Sequence, residues 1–286
     1  MLGAGITDYL HSRNFDLIEI NRLESSHYSA SGHIRFNAAR SHVSELVTQL
    51  PSNSILVNCA GVIKHKIDPL RPSSIYEAIR VNSVFPIDLA NACQKKNISI
   101  IQIATDCVYS GRIGNYSEES EKDPQDIYGL TKSAGEVVSG NTMTLRCSLV
   151  GRERSSQLEF LEWVLSHPKG SSINGFTNHF WNGVTVLDIA KFVEGSASQK
   201  FFKSGIHHFV PADSMSKHDL IKEVCSNFGR DDLQLVELEA AEAVNRVLTT
   251  TNPDLNSQIW SLAQYNRVPA ISDLLGNYAL LLKKNG

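Results

Sequence analysis

The sharpest chemistry in the sequence is a tyrosine and a lysine four positions apart, Tyr128-Gly-Leu-Thr-Lys132, with Thr105 upstream of them. Positions i and i+4 share one face of a helix, so the Lys132 ammonium can stand near the Tyr128 phenol. A free phenol titrates at about pH 10, too high to exchange protons well at neutral pH, and a neighbouring cation lowers that value. With Thr105 hydrogen-bonding a substrate carbonyl, Tyr128 would deliver or remove its proton. The matching hydride has to come from a nicotinamide cofactor, because no side chain supplies one. Tyr-x-x-x-Lys also arises by chance. Its place after a strand ending Ala104-Thr-Asp106 and a stretch rich in turn residues makes it far more specific.

Those residues need a scaffold, and the flanking sequence predicts one. Apolar runs at Leu17–Ile20, Ile55–Asn58, Ile98–Thr105 and Met143–Leu149 read as strands. Helical patterns lie between them at Ser41–Leu50, Ser73–Lys96 and Tyr128–Ser139, with Pro86 kinking or dividing the second. Strands alternating with helices make βαβ units and a parallel sheet. Thr105 then sits at the carboxyl end of its strand, where open α/β sheets bind ligands. Ser110–Gln125 is polar, carries Gly111, Gly114 and Pro124, and reads as a long loop. After Val150 the texture changes: a polar break at Gly151–Ser156, helices at Leu158–Ser166, Asp188–Glu194 and Ser216–Phe228, and a strand at Ile206–Val210. The expected organisation is a Rossmann-type α/β domain over residues 1–150. A smaller, mixed substrate-binding part follows over 151–286, some of its elements packing back on the first.

Composition bounds the function. With 286 residues, 42% apolar and 20% charged, the chain is long and apolar enough for a large core, which excludes disorder and a disulfide miniprotein. A net charge of −3 gives no basic field for nucleic acid or an anionic membrane. Five cysteines with no C-x-x-C pair read as reduced, buried thiols, which together with the absence of a spanning or leader-like run points to the cytoplasm. His207 and His208 share a strand and face opposite ways, so no metal is assigned. The acidic group Glu118, Glu119, Glu121 and Asp123 reads as a solvated loop face.

Ala104-Thr-Asp-Cys-Val-Tyr-Ser-Gly111, Tyr116-x-Glu118, Pro124 and Tyr128-Gly-Leu-Thr-Lys132 with Glu136 resemble the central signature of the extended short-chain dehydrogenase/reductases, best in the dTDP-4-dehydrorhamnose reductase-like, sugar-nucleotide group. The resemblance implies Thr105, Tyr128 and Lys132 as the catalytic residues. It implies Cys59, Ala60 and Gly61 along the nicotinamide ribose, with Asn82, Tyr128 and Lys132 completing that side. Gly3 fits the third glycine of the family's Gly-x-x-Gly-x-x-Gly turn, so the family's first strand and first two glycines lie outside this sequence, and the expected start is upstream of Met1. Arg22, where NAD-dependent relatives would carry an acidic residue, favours NADP(H) over NAD(H).

On the substrate side the resemblance and the residue types single out Asp106, Asn178, Trp181 and Arg246. The segment Gly175–Thr185, holding three aromatics, two Asn and a His, reads as a loop that would face a base or a sugar. Arg246 suits a phosphate. The implied activity is reduction of the 4-keto group of a nucleotide-linked deoxysugar for cell-surface polysaccharide, with a homodimer as the assembly it allows. Two alternatives stand beside it: an epimerase or dehydratase using the same trio, and a non-catalytic regulatory subunit on the same fold.

Overall fold

The structure, a computed structural model, describes residues 1–22, 32–153 and 159–285. The first half runs α1 (Leu2–Ser12), β1 (Ile18–Asn21), β2 (Gly32–Arg35), α2 (Val43–Gln49), β3 (Ile55–Asn58), α3 (Pro72–Ile79), α4 (Phe85–Gln94), β4 (Ser99–Ile103), α5 (Ile127–Ala134) and β5 (Thr142–Arg146). Then come β6 (Leu149–Val150), α6 (Phe160–Leu165), β7 (Ser172–Phe176), β8 (His179–Trp181), β9 (Val184–Thr185), α7 (Val186–Gln199) and β10 (Gly205–His208). The chain ends with β11 (Met215–Ser216), α8 (Lys217–Phe228), β12 (Gln234–Leu238), β13 (Val244–Asn245), α9 (Pro253–Leu262) and α10 (Ile271–Asn285).

The main sheet has the order β10-β5-β4-β3, every pair parallel. Successive strand residues face opposite ways, and β4 is apolar on both sides. Ile100 packs with Leu46 and Leu89 under α2 and α4, whereas Ile101 and Ile103 pack with Ile6, Ile189 and Phe192 under α1 and α7. A strand buried on both faces needs helices on both faces, which is the doubly wound arrangement. α7 and α9 cover the same face as α1, so the second half returns three elements, β10 included, to the first layer. β1 and β2 form a separate parallel pair, and among the described residues no ladder joins β1 to β3. In the doubly wound order one strand stands between those groups, and no described element fills that place.

A second core gathers Leu161 and Val164 of α6, Leu220, Ile221 and Val224 of α8, Ile173 of β7 and Leu275 of α10. Gly175–Thr185, expected as one loop, contains the end of β7 and all of β8 and β9 instead. β8 is held between β11 and β13 by backbone bonds, and the Asn and Gly of the segment fall beside it, at Asn178, Asn182 and Gly183. The helix expected over Asp188–Glu194 extends to Val186–Gln199, started by a capping box between Thr185 and Asp188. Of the polar break, residues 154–156 lie outside the described part, as does Leu158.

Two departures shape the site. Ser73–Lys96 resolves into α3 and α4, joined by a π-helical turn over Arg80–Val84, with Pro86 in the first turn of α4. Such turns re-aim a side chain, here Asn82. The helix expected to reach Ser139 stops at Ala134, where Gly135 leaves the helical conformation as C-cap; it packs so closely on the Asn82 carbonyl that a side chain there would collide with that oxygen.

Candidate active site

Thr105 follows β4 in extended conformation and starts a short 3₁₀ turn over Asp106–Val108. Its hydroxyl accepts the Cys107 N–H at 3.2 Å and lies 3.2 Å from Asp106 Oδ1, to which it donates. Asp106 and Thr105 are both buried. α5 is capped by Asp126, which accepts the Gly129 N–H at 2.8 Å and pairs with Lys64 at 2.8 Å. Gly129 has no room for a side chain: a Cβ would meet the Cys107 carbonyl at 2.2 Å, and this close approach brings Tyr128 alongside Thr105.

Burial pushes the Tyr128 phenol well above the ordinary tyrosine value; the Cys107 thiol adds to that, and a hydrogen bond with Thr105 pulls the other way. Lys132 is buried and donates to the Ile103 carbonyl at 2.9 Å. Burial lowers its pKa, opposed first by Glu136 and then by the thiols of Cys147, Cys59 and Cys107. The sequence expectation that Lys132 depresses the Tyr128 phenol is therefore corrected for this state. The ammonium is turned to the strand carbonyl, and desolvation dominates the phenol. At neutral pH the phenol holds its proton and can donate it.

On the other side of Lys132, β3 ends at Asn58, whose side chain donates to Gln102 Oε1 at 2.7 Å and accepts the Ala60 N–H at 3.0 Å. Asn82 spans the next segment: it accepts the Val62 N–H at 2.8 Å, and donates to the Val62 carbonyl at 3.0 Å and to Thr131 Oγ1 at 3.1 Å. Its role in the structure is to pin Gly61–Val62 to α5. Burial drives the Cys59 thiol up to about 12, so it is an apolar wall, not a nucleophile. α1 starts against Cys59, where a Cβ added at Gly3 would stand 3.4 Å from the Cys59 Cβ, and no side chain caps its first turn. A helix N-terminus beside a sheet's carboxyl end suits a pyrophosphate, and among the described residues the hydrogen-bond partner of the buried Lys132 is the Ile103 carbonyl. The residues present thus fit a dinucleotide over Gly3, Cys59–Gly61 and Lys132, whereas Asn82, expected on that side, has its amide taken by Val62 and Thr131 and holds the wall of the site instead. Arg22 is exposed just past β1.

The substrate-side residues divide. Arg246 crosses over the site, its Nε donating to the Tyr109 carbonyl at 3.0 Å. Trp181 is buried, its Nε1 donating to Ser148 Oγ at 2.7 Å. Asn178 is occupied elsewhere: its amide bonds both the carbonyl and the N–H of Ala240, at 2.7 and 3.0 Å, and ties the β8 strand to the segment after β12. The acidic loop is also corrected. Glu118 accepts from Thr250 Oγ1, the Thr251 N–H and the His208 N–H, and Asp123 takes the Ser110 N–H at 2.7 Å, so both are clamps. Sequence reasoning passed over Lys217, whose ammonium stands 4.7 Å from the Phe160 ring centre and 5.3 Å from that of Trp181. A lysine directly after a helix-capping serine, at the wrong end for the helix dipole, was the available signal.

Fold and site together define a Rossmann-type protein of the extended short-chain dehydrogenase/reductase kind. Residues 1–271 match the RmlD substrate binding domain family, and the chain belongs to it. Among curated relatives it is 27% identical over 190 residues to the probable low-salt glycan biosynthesis reductase Agl14 of Haloferax volcanii, covering 62% of this chain and 60% of that protein. It is 29% identical over 137 residues to a dTDP-4-dehydrorhamnose reductase of Streptomyces griseus, covering 48% of this chain and 40% of that one. The matches thus span 60% or less of these relatives' length. Of solved structures, the Bacillus anthracis dTDP-4-dehydrorhamnose reductase in complex with NADP superimposes with a TM-score of 0.72 at 18% identity, over 92% of this chain and 98% of that one. MoeE5 in complex with UDP-glucuronic acid and NAD gives 0.71 at 16%, over 100% and 96%. At these identities the likeness is one of fold.

Proposed function

We propose that the chain is a nicotinamide-dependent reductase of the 4-keto group of a nucleotide-linked deoxysugar, serving glycan or polysaccharide biosynthesis. The observation that carries the reading is the meeting of Thr105, Tyr128 and Lys132 at the carboxyl end of β4 in a member of this family. NADP(H) is the proposed cofactor, on the strength of Arg22 past β1. When bound, the nicotinamide supplies hydride. This chain's own groups do the rest. Thr105 orients the carbonyl, Tyr128 gives its phenolic proton to the oxygen, and Lys132 holds positive charge beneath the site. A protonated Tyr128 is the form that reduction requires.

The test is direct. Tyr128→Phe should abolish NADPH oxidation with a 4-keto sugar nucleotide, dTDP-4-dehydrorhamnose first, while NADPH still binds. Unchanged turnover in that variant would sink the assignment. An epimerase or dehydratase would recycle its cofactor, so stoichiometric NADPH consumption separates the readings. The proposed location is the cytoplasm; among the described residues no helix is long and apolar enough to cross a membrane.

A further inference from the structure

Lys217 is costly where it stands. It opens α8, at the helix end whose exposed N–H groups repel a cation. Its ammonium is walled by Phe160 and Trp181. Among the described residues no carboxylate pairs with it and no oxygen accepts from it. Its titratable neighbours are Asp106 and the neutral thiol of Cys107, the two residues after Thr105, and Arg246. The other ionic groups on its own helix turn away. Asp219 serves Ser216 and His218, and His218 lies between Asp219 and Glu237. Arg246 adds a second positive charge to the same corner, with Nε held by the Tyr109 carbonyl.

A half-buried cation held against aromatic rings, with Asp106 near it but not paired to it, has charge to spare for a ligand. Its place beside the residues that follow Thr105 puts that charge within the substrate's reach.

We propose that Lys217 is a substrate-binding residue that holds an anionic oxygen of the substrate next to the reacting sugar, with Arg246 as the companion cation and Trp181 and Phe160 as its walls. The inference rests on the sugar-nucleotide reading above and sharpens it. The anion is either the diphosphate, common to all such substrates, or a carboxylate on the sugar itself.

Burial depresses the Lys217 pKa to about 8, with Asp106 and Cys107 opposing the shift and Arg246 adding to it. Anion binding should therefore weaken as pH rises through that value. The remaining titratable groups facing Lys217 are Asp106, Cys107 and Arg246, and burial holds the Cys107 thiol up at about 12, outside this window.

The experiment is calorimetric titration of the full chain, with NADP present, by dTDP-glucose, UDP-glucose and UDP-glucuronate between pH 6.5 and 9.5. Wild type, Lys217→Met and Lys217→Arg are compared. The wild type should lose affinity across that range. K217M should bind about tenfold or more weakly at neutral pH and lose the pH dependence. K217R should restore the affinity and move the dependence beyond the window. Weakening of all three ligands assigns the diphosphate, and weakening confined to UDP-glucuronate assigns a sugar carboxylate; both uphold the role. K217M within twofold of wild type with the same pH profile would overturn it, as would a wild type that binds none of the three. If K217M does not fold, the wild-type and K217R profiles decide, and a flat wild-type profile overturns the proposal. A wild type that binds with the expected pH dependence yet reduces no keto sugar would remove the reductase reading and leave Lys217 its anion.

Discussion

Thr105 serves two purposes with one hydroxyl. It accepts the Cys107 N–H that starts the 3₁₀ turn, and it stands beside Tyr128 where a substrate carbonyl would lie. The two purposes separate by substitution. Thr105→Ser keeps the oxygen and should retain most of kcat. Thr105→Val keeps the shape, removes the oxygen, and should cut kcat by about a hundredfold, the size of effect seen when one polar donor to a developing oxyanion is lost. Steady-state kinetics with a 4-keto sugar nucleotide, beside urea unfolding of both variants, checks this. Equal kcat in the two variants would make Thr105 structural only. At this scale the proposed trio could be picked out in the sequence, because its spacing and its strand-end position are local properties. The partners were not. Lys132 meeting the Ile103 carbonyl, 29 positions away, and Asn178 taken by Ala240, 62 positions away, depend on how distant segments meet.

The helix α5 carries Tyr128 and Lys132, and its seat is set by Gly129. A methyl group there would meet the Cys107 carbonyl at 2.2 Å and the Pro124 ring at 2.8 Å, so the helix would have to lift away from the Thr105 turn. Gly129→Ala should therefore cost about 1–3 kcal/mol of stability, the usual penalty of overpacking, and should lower kcat as Tyr128 moves from Thr105. Gly140→Ala, where nothing lies within 4 Å, is the control and should be near neutral. Urea midpoints and kcat for the pair test this, and a G129A variant as active and stable as G140A would contradict it. The alternating apolar strands β3, β4 and β5 could be read along the chain because a strand buried on both faces is a continuous apolar run. Helix ends were less legible. α5 ends at Ala134 with Gly135 as its C-cap, packed on the Asn82 carbonyl where no side chain would fit, and a contact between positions 82 and 135 leaves no mark on either segment alone. The strands β8 and β9 were hidden for the same reason: their ladders run to β11, β13 and β6, which lie far off in sequence.

Across the whole molecule, one buried polar network joins the main sheet to the acidic loop and to the segment before α9. Arg146 on β5 pairs with Glu136 through Nε at 2.7 Å and Nη2 at 2.8 Å, with both side chains almost fully enclosed. Its Nη1 donates to the Tyr109 hydroxyl at 2.6 Å. His208 on β10 lies beside both, and its backbone N–H reaches Glu118 at 2.9 Å. Removing Arg146 leaves Glu136 enclosed with Lys122, at 3.0 Å and partly exposed, as its remaining cation. Arg146→Met should therefore cost somewhat less, in urea unfolding, than the ~3–5 kcal/mol of a fully stranded buried charge. The network also sets the acid response. Burial lowers the His208 pKa, against the pull of Glu118, so the unfolded chain takes up a proton more readily than the folded one. Its stability contribution is complete above about pH 6.5 and is lost as pH falls below it. Burial alone would raise Glu118, but the hydrogen bonds from Thr250, Thr251 and His208 outweigh it and hold the carboxyl down at about 2. That contribution is complete above about pH 4.5, the unfolded value, and disappears as pH falls from there toward 2. Other carboxylates titrate in the same range, so the informative quantity is the difference in Tm between wild type and Glu118→Gln as a function of pH. The difference should be constant from pH 8 to about 5 and shrink steadily below 4.5, because the neutral amide has no proton to gain. A difference that stays constant to pH 2.5 would mean that Glu118 holds the Thr250–Thr251 segment without relying on its charge.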